Sequence, residues 1–139
     1  MPSEPIPDPI DPAKEAGELA DLFHALSQSL DEYRLSDDLP PDTAPAELKL
    51  LKRQAQEMED LSHGFTAEAI GATLQSIHKD LAQIKAVTKE AKAQLAKLES
   101  VSKAISSATA GLSVGTAVLT GNPLAIAKAV EGFGEAVIA

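Results

Sequence analysis

Apolar residues recur at alternating spacings of four and three residues through the middle of this chain, from Ile70 to Ile105. This heptad period extends over about five repeats and is interrupted only by the polar residues Thr88 and Ser102. It is typical of an α-helix that packs along its length against other helices. The residues that form this predicted interaction seam are Ile70, Leu74, Ile77, Leu81, Ile84, Leu95, Leu98 and Ile105.

Proline positions divide the rest of the chain, because a proline inside a helix costs about 3 kcal/mol. Residues 46–122 contain no proline, whereas residues 1–10 are rich in proline and acidic residues and have no apolar period. We predict a disordered tail over residues 1–10, followed by a single all-α domain. The predicted helices of this domain span residues 12–35, 45–63, 67–119 and 123–138.

The third predicted helix is long for a chain of this size. Its 53 residues, 67–119, would extend roughly 80 Å as an unbroken helix. That length exceeds the diameter of a compact domain, so the helix either kinks near Gly111 or Gly115 or projects and needs a partner. The predicted fold class is therefore all-α: an elongated helical bundle with one coiled-coil-like helix and a C-terminal apolar helical hairpin. An aromatic content of 3% agrees with closely packed helices.

Charge is distributed unevenly along the chain, whose formal net charge is −9. Residues 1–42 contain eleven acidic residues but only Lys14 and Arg34 as basic ones, whereas residues 64–139 contain seven lysines and six acidic residues. One interpretation places an acidic first helix beside a basic third helix and so fixes their orientation. In the alternative interpretation, the acidic tail is a detachable cover or a docking peptide for a basic partner. The acidic charge also argues against nucleic acid as a partner.

A run of 24 residues between Lys103 and Lys128 contains no charged side chain. Small residues recur every four positions within this run, and this spacing allows helix backbones to approach closely. We predict a hairpin over residues 104–138 that either packs closely in a soluble assembly or enters a membrane after exposure. A constitutive span is not expected, because residues 104–119 are too few and too polar to cross a bilayer. The residues assigned to this hairpin function are Ser107, Gly111, Gly115, Gly121, Asn122 and Pro123.

The sequence lacks the motifs that carry most enzyme chemistry. It contains no cysteine, which excludes disulfides and thiol catalysis. Two carboxylate–histidine pairs have the i, i+3 spacing of metal ligands: Asp21 with His24, and Asp60 with His63. Both pairs fall beside the predicted apolar stripes, as does His78, so we predict solvated side chains rather than a metal site. Because no phosphate-binding loop or nucleophile motif occurs either, we expect no enzyme, no cofactor and no small-molecule substrate.

These patterns together predict a non-catalytic helical assembly or interaction protein. It would form a homo-oligomer, or bind a helical partner, through the seam and the small-residue hairpin. One alternative is a membrane-active protein, similar in architecture to helical pore-formers or secretion translocators, and another is a monomeric intracellular adaptor. The sequence contains no recognisable secretory signal or lipidation motif, so we expect a cytoplasmic location or export without a cleaved signal peptide.

Overall fold

Helices account for nearly all of the computed structural model, which describes residues 11–36, 39, 43–95 and 101–138. Within these residues the chain contains helices and turns but no strand. The tail predicted for residues 1–10 lies outside the described residues. The described chain forms an all-α bundle of six helices: α1 Pro12–Arg34, α2 Pro45–Gly64, α3 Ala67–Ser76, α4 His78–Leu95, α5 Val101–Thr120 and α6 Pro123–Ile138.

Three of the helices begin at residues whose side chains cap the first turn. Asp11 Oδ1 accepts hydrogen bonds from the backbone N–H groups of Ala13 and Lys14 at 3.1 and 3.3 Å, and Pro12 fills the first helical position. Thr66 caps α3 in the same way. Asn122 caps α6, and its side-chain oxygen lies 3.0 Å from the N–H of Leu124. These contacts satisfy backbone donors that have no partner inside the helix.

The single helix predicted for residues 67–119 is wrong, because the structure divides this segment into α3, α4 and α5. Ile77 leaves helical geometry, with φ −112° and ψ 22°, and α4 begins immediately after it. The next described helix, α5, starts at Val101, after α4 has ended at Leu95. The glycines at which a kink was expected do not interrupt a helix, since Gly111 and Gly115 both lie inside α5.

The segment also folds back on itself, so the predicted rod does not form. Thr73 of α3 has its Oγ1 atom 3.1 Å from the position that a Cβ on Gly121 would occupy. An unbroken helix would hold these two residues roughly 72 Å apart. A heptad period defines an apolar face without specifying which helices cover it, and here the same chain covers it. The apolar face of α3 and α4 packs mainly against α1, and α4 also packs against α6.

The core is formed by the buried faces of all six helices, with α1 packed against α2, α3 and α4 and α6 packed against α4 and α5. Phe23 of α1 and Phe65, which follows α2, meet edge to face with ring centroids 5.0 Å apart. Phe133 of α6 is fully buried, as is Leu19 of α1. Helix α2 packs against both α1 and α5, and α5 packs against α6. The buried α6 residues are Ile126, Val130, Phe133 and Val137.

An ion-pair cluster joins the acidic α1 to the basic α4. Lys85 Nζ donates to the carboxylates of Glu15 and Glu18, and its distance to Glu18 is 2.5 Å. The hydrogen bond from Lys85 lowers the pKa of the Glu18 carboxyl group. Burial by itself would lower the pKa of Lys85, but the hydrogen bonds that Lys85 donates to Glu15 and Glu18 outweigh it and raise that pKa. The contact between an acidic and a basic helix that the charge pattern predicts is therefore present at this cluster.

Candidate interaction surface

The outward side of α5 carries no charged side chain from Ala104 to its end at Thr120. Its solvent-exposed positions are occupied by serine and threonine, together with Leu119, which is 38% exposed. Charged residues make up 24% of the whole chain, so an uncharged stretch of this length on a surface helix is unusual. The residues of this surface, called here the α5 face, are Ser106, Thr109, Leu112, Ser113, Thr116, Leu119 and Thr120.

Two glycines on the inward side hold α5 close to its neighbours. A Cβ on Gly115 would lie 2.6 Å from Leu61 Cδ1 and 2.9 Å from Phe23 Cε2. At Gly111 the nearest atom, Phe133 Cζ, would be 3.3 Å away. Ser107, one turn earlier, is also buried. The small residues predicted from their four-residue spacing therefore face the core of this chain, where they bring α5 against α1, α2 and α6.

The turn between α5 and α6 is built from Gly121, Asn122 and Pro123. Gly121 has φ 77°, a left-handed conformation that glycine adopts without strain, and its N–H donates to the carbonyl of Ala117 at 3.0 Å. Pro123 occupies the first position of α6, where its missing N–H costs nothing. The turn residues of the predicted hairpin therefore reverse the chain and set where α6 crosses α5.

An open groove runs over α5 between α2 and α6, and its volume is about 740 Å³. The residues lining this α5 groove are Leu50, Arg53, Gln54, Glu57, Thr109, Leu112, Ser113, Thr116, Ala117, Thr120, Ala125 and Ala129. A smaller depression of about 350 Å³ adjoins it through Glu57, Leu112 and Thr116, and adds Asp60 and Leu119 at its border. Alanine, serine and threonine make up much of the floor, so another helix could lie close to it.

Large apolar side chains are exposed at and beside this groove. Leu50 lines the groove and is 39% exposed, and Leu119, which lines the adjoining depression, is 38% exposed. Leu124, at the start of α6, is 67% exposed and directly precedes the groove residue Ala125. Among the described residues, the remaining large hydrophobic side chain exposed to this degree is Leu35, at the end of α1. Exposed apolar side chains therefore concentrate at one surface, as they do at protein–protein contact sites.

A buried glutamine fixes the register of α2 against α5. Gln54 is 4% exposed, and its Nε2 donates to Thr109 Oγ1 at 2.8 Å and to the carbonyl of Ile105 at 3.3 Å. Its Oε1 atom is buried and has no hydrogen-bond partner among the described residues. Further along, Gly64 lies beside Leu119, so α2 and α5 run in the same direction. The groove between them is therefore a fixed part of the fold.

The predicted seam residues lie in the core and not on a free surface. Ile70, Leu74, Ile77, Leu81, Ile84 and Leu95 are all buried. Ile105 is half-buried and packs against the core, while Leu98 lies outside the described residues. The seam is thus already covered by helices of the same chain, which sequence periodicity could not indicate.

His24 and His63 both contact Glu59 and not the aspartates that their sequence spacing suggested. Glu59 Oε2 lies 2.5 Å from His24 Nδ1, and Glu59 Oε1 lies 3.1 Å from His63 Nε2. Asp21 and Asp60 are exposed, in line with their predicted solvation. Within the part of the chain that the structure describes, no group of histidine and acidic side chains is arranged to hold a metal ion. His63 and Glu59 are four residues apart on α2, but His24 reaches Glu59 only through tertiary packing.

Comparison with known proteins gives no relative for this chain: no family model, curated protein or solved structure matches it. The described helices include none with both the length and the apolar character needed to cross a bilayer.

Proposed function

We propose that this protein is a non-catalytic helical interaction protein that binds a protein partner through the α5 groove. The observation that carries the proposal is the absence of charge on the α5 face from Ala104 to Thr120, which includes exposed Leu119 and lies beside exposed Leu50 of α2. The centres of protein interfaces are depleted of charged residues because charges lose hydration when they are buried. A surface helix without charge avoids that cost when a partner covers it.

The seam is a less favourable contact surface than the groove. We propose that α3 and α4 use it for coiled-coil-like packing inside the chain, against α1 and α6. Offering the seam to another molecule would expose large side chains such as Leu74 and Ile84, each worth about 1.5 to 3 kcal/mol of burial. Uncovering the whole seam would cost on the order of 10 kcal/mol, comparable with the total stability of a domain. The α5 groove needs no such rearrangement.

The test uses one charged substitution in the groove and one outside it. Thr116→Glu places a charge at the centre of the groove, and Ala86→Glu places the same charge on an exposed position of α4. Wild type and both variants are immobilised, and proteins retained from extracts of cells that express the chain are quantified by mass spectrometry. We expect a partner, or the chain itself, to be retained by wild type and Ala86→Glu and depleted at least tenfold with Thr116→Glu. Equal retention by all three proteins would refute the proposed use of the groove.

A membrane-active function is the second candidate, and the exposed tip of the α5–α6 hairpin favours it. Leu119 and Leu124 flank the turn, and neither α5 nor α6 carries a charge between Lys103 and Lys128. Insertion of residues 104–138 would uncover core residues of α6 such as Phe133, so it would require a trigger. Flotation of the full chain with liposomes at neutral and acidic pH tests this candidate. A protein that stays with the buffer at both pH values does not act by hairpin insertion.

A further inference from the structure

We propose that the partner bound in the α5 groove is a second copy of this chain, paired about a two-fold axis that crosses α5 at right angles. In this arrangement each α5 lies antiparallel to the α5 of the other copy, and each α2 lies antiparallel to the other α2. The inference rests on the proposed use of the groove, and it adds the identity and orientation of the partner.

Charge along α2 supports the antiparallel orientation. The first half of α2 carries exposed Lys49, Lys52 and Arg53 against one acidic residue, Glu47, whereas the second half carries Glu57, Glu59 and exposed Asp60. Arg53 and Glu57 line the groove itself, where Arg53 Nε donates to Glu57 Oε1 of the same helix at 3.0 Å, and Asp60 borders the adjoining depression. Antiparallel pairing brings the basic half of α2 in one copy opposite the acidic half of α2 in the second copy. Arg53 of each copy then lies opposite Asp60 of the second copy. Parallel pairing would oppose like charges and weaken the contact.

The α5 face is suited to contact with its own copy. Thr109, Ser113, Thr116 and Thr120 recur at spacings of four, three and four residues, which is the period of a helical contact stripe. Their side chains are small, so two such stripes can approach closely, and they contain no charge that would be buried. Leu112 and Leu119 border the stripe and add apolar contact area on both copies.

The overall charge of the chain also favours this surface over others for self-association. Helices α2, α5 and α6 together contain six acidic and five basic residues, whereas α1 alone contains five acidic residues and two basic ones. Two copies that met through α1 would bring two acidic helices together. Two copies that meet through the α5 groove oppose nearly neutral ones, and each copy supplies both signs of charge.

The first experiment measures mass in solution. Multi-angle light scattering after size exclusion, over about 1 to 200 μM, is expected to give twice the 14.5 kDa of the chain at the higher concentrations. Thr116→Glu is expected to give a monomer, and Ala86→Glu a dimer. Circular dichroism of each variant verifies that it is folded. A folded wild type that remains monomeric throughout overturns the dimer.

Charge exchange tests the orientation. Arg53→Glu alone and Asp60→Lys alone each oppose like charges across the axis, so each is expected to raise the dimer dissociation constant about tenfold or more. Mixing the two variants in equal amounts restores opposite charges at both contacts and is expected to restore dimerisation. If the mixture associates no better than either variant alone, the antiparallel contact through α2 is refuted.

Cross-linking between introduced cysteines locates the two-fold axis. Because the natural chain contains no cysteine, no other residue reacts with the thiol-specific reagent. Ser113→Cys, near the middle of the contact, is expected to cross-link with its own copy through a short bis-maleimide. Thr120→Cys is expected not to do so, since antiparallel helices hold its two copies more than about 20 Å apart. Self-linking of Thr120→Cys to the same extent as Ser113→Cys would refute the antiparallel arrangement.

The dimer and the proposed function can fail separately. If the wild type is monomeric but retains another protein in a manner that depends on Thr116, the groove is an interaction site and its occupant is not a second copy. If the wild type is monomeric and Thr116→Glu changes no retained protein, both proposals are overturned.

Discussion

Leu61 lies so close to Gly115 that its Cδ1 atom is 2.6 Å from the position that a Cβ on Gly115 would occupy. This contact, together with that from Phe23, leaves no room for a side chain at the crossing of α5 with α1 and α2. Because the crossing is tight, the glycine side of α5 is held in the core, and the α5 face is therefore held at the surface. The close approach thus determines which face of α5 lines the groove.

Gly115→Ala is expected to destabilise the protein by about 1 to 3 kcal/mol, because Leu61 and the ring of Phe23 must both move to admit the new methyl group. The comparison variant is Gly132→Ala in α6, where a Cβ would meet no atom within 4 Å. That change is expected to stabilise by about 0.5 to 1 kcal/mol, since alanine favours a helix over glycine. Urea denaturation measures the free energy of unfolding of both variants. A change of the same sign in both would contradict the packing at Gly115.

Leu81→Asp is expected to unfold the protein, not merely to dissociate an assembly. Leu81 is 4% exposed and belongs to the core, so the substitution buries a carboxylate without a partner. Leu35→Asp introduces the same charge at a side chain that is 69% exposed, and even at the C-terminal end of α1 it should cost less than about 1 kcal/mol. Far-ultraviolet circular dichroism measures the helix content of the two variants, and thermal melting measures their stability. A folded, monomeric Leu81→Asp protein would mean that the seam is not part of the core.

Replacement of Gln54 tests how a buried amide contributes at the α2–α5 contact. Gln54→Met retains much of the volume and removes an acceptor that has no partner among the described residues, so stability should stay within about 1 kcal/mol of wild type. Gln54→Ala leaves a cavity and should cost about 2 kcal/mol or more. Chemical denaturation measures the free energy of unfolding of the two variants and of wild type. A loss as large for methionine as for alanine would show that the hydrogen bonds to α5 outweigh the packing.

Removal of Lys85 should make stability less dependent on pH. The pKa of Glu18 is lowered in the folded protein, so its contribution is present above about pH 4.5, its ordinary value, and is lost as the pH falls through the folded value. The pKa of Lys85 is raised, so its contribution is present below about pH 10.5 and is lost as the pH rises further. Lys85→Met should therefore be less stable than wild type at pH 7, and the difference should shrink at pH 3.

The matched control for this prediction is Lys92→Met, which removes an exposed lysine from the same helix. Urea titrations of wild type, Lys85→Met and Lys92→Met at pH 3 and pH 7 provide the comparison. A Lys92→Met protein with the same loss at pH 7 would indicate a general charge effect of α4 and not the cluster with Glu15 and Glu18.

Local sequence was sufficient to locate helix starts and apolar faces. Asp11, Thr66 and Asn122 each carry a side-chain oxygen that can accept from N–H groups two or three residues away, and the structure places them at the starts of α1, α3 and α6. The turn at Gly121 was equally predictable, since a left-handed conformation depends on that residue alone. The all-α class follows from these same short-range patterns.

Only the tertiary structure decided how the faces are covered. The heptad period from Ile70 to Ile105 is the same whether the covering helix belongs to the same chain or to another, so it could not reveal the division at Ile77 or the return of α5 to α3. The contact of His24 with Glu59 likewise joins residues 35 positions apart. The backbone hydrogen bonds of a helix and its capping contacts join residues only a few positions apart, so neighbouring residues encode them. Burial of an apolar face depends on every helix that can reach it, and is settled by competition across the whole chain.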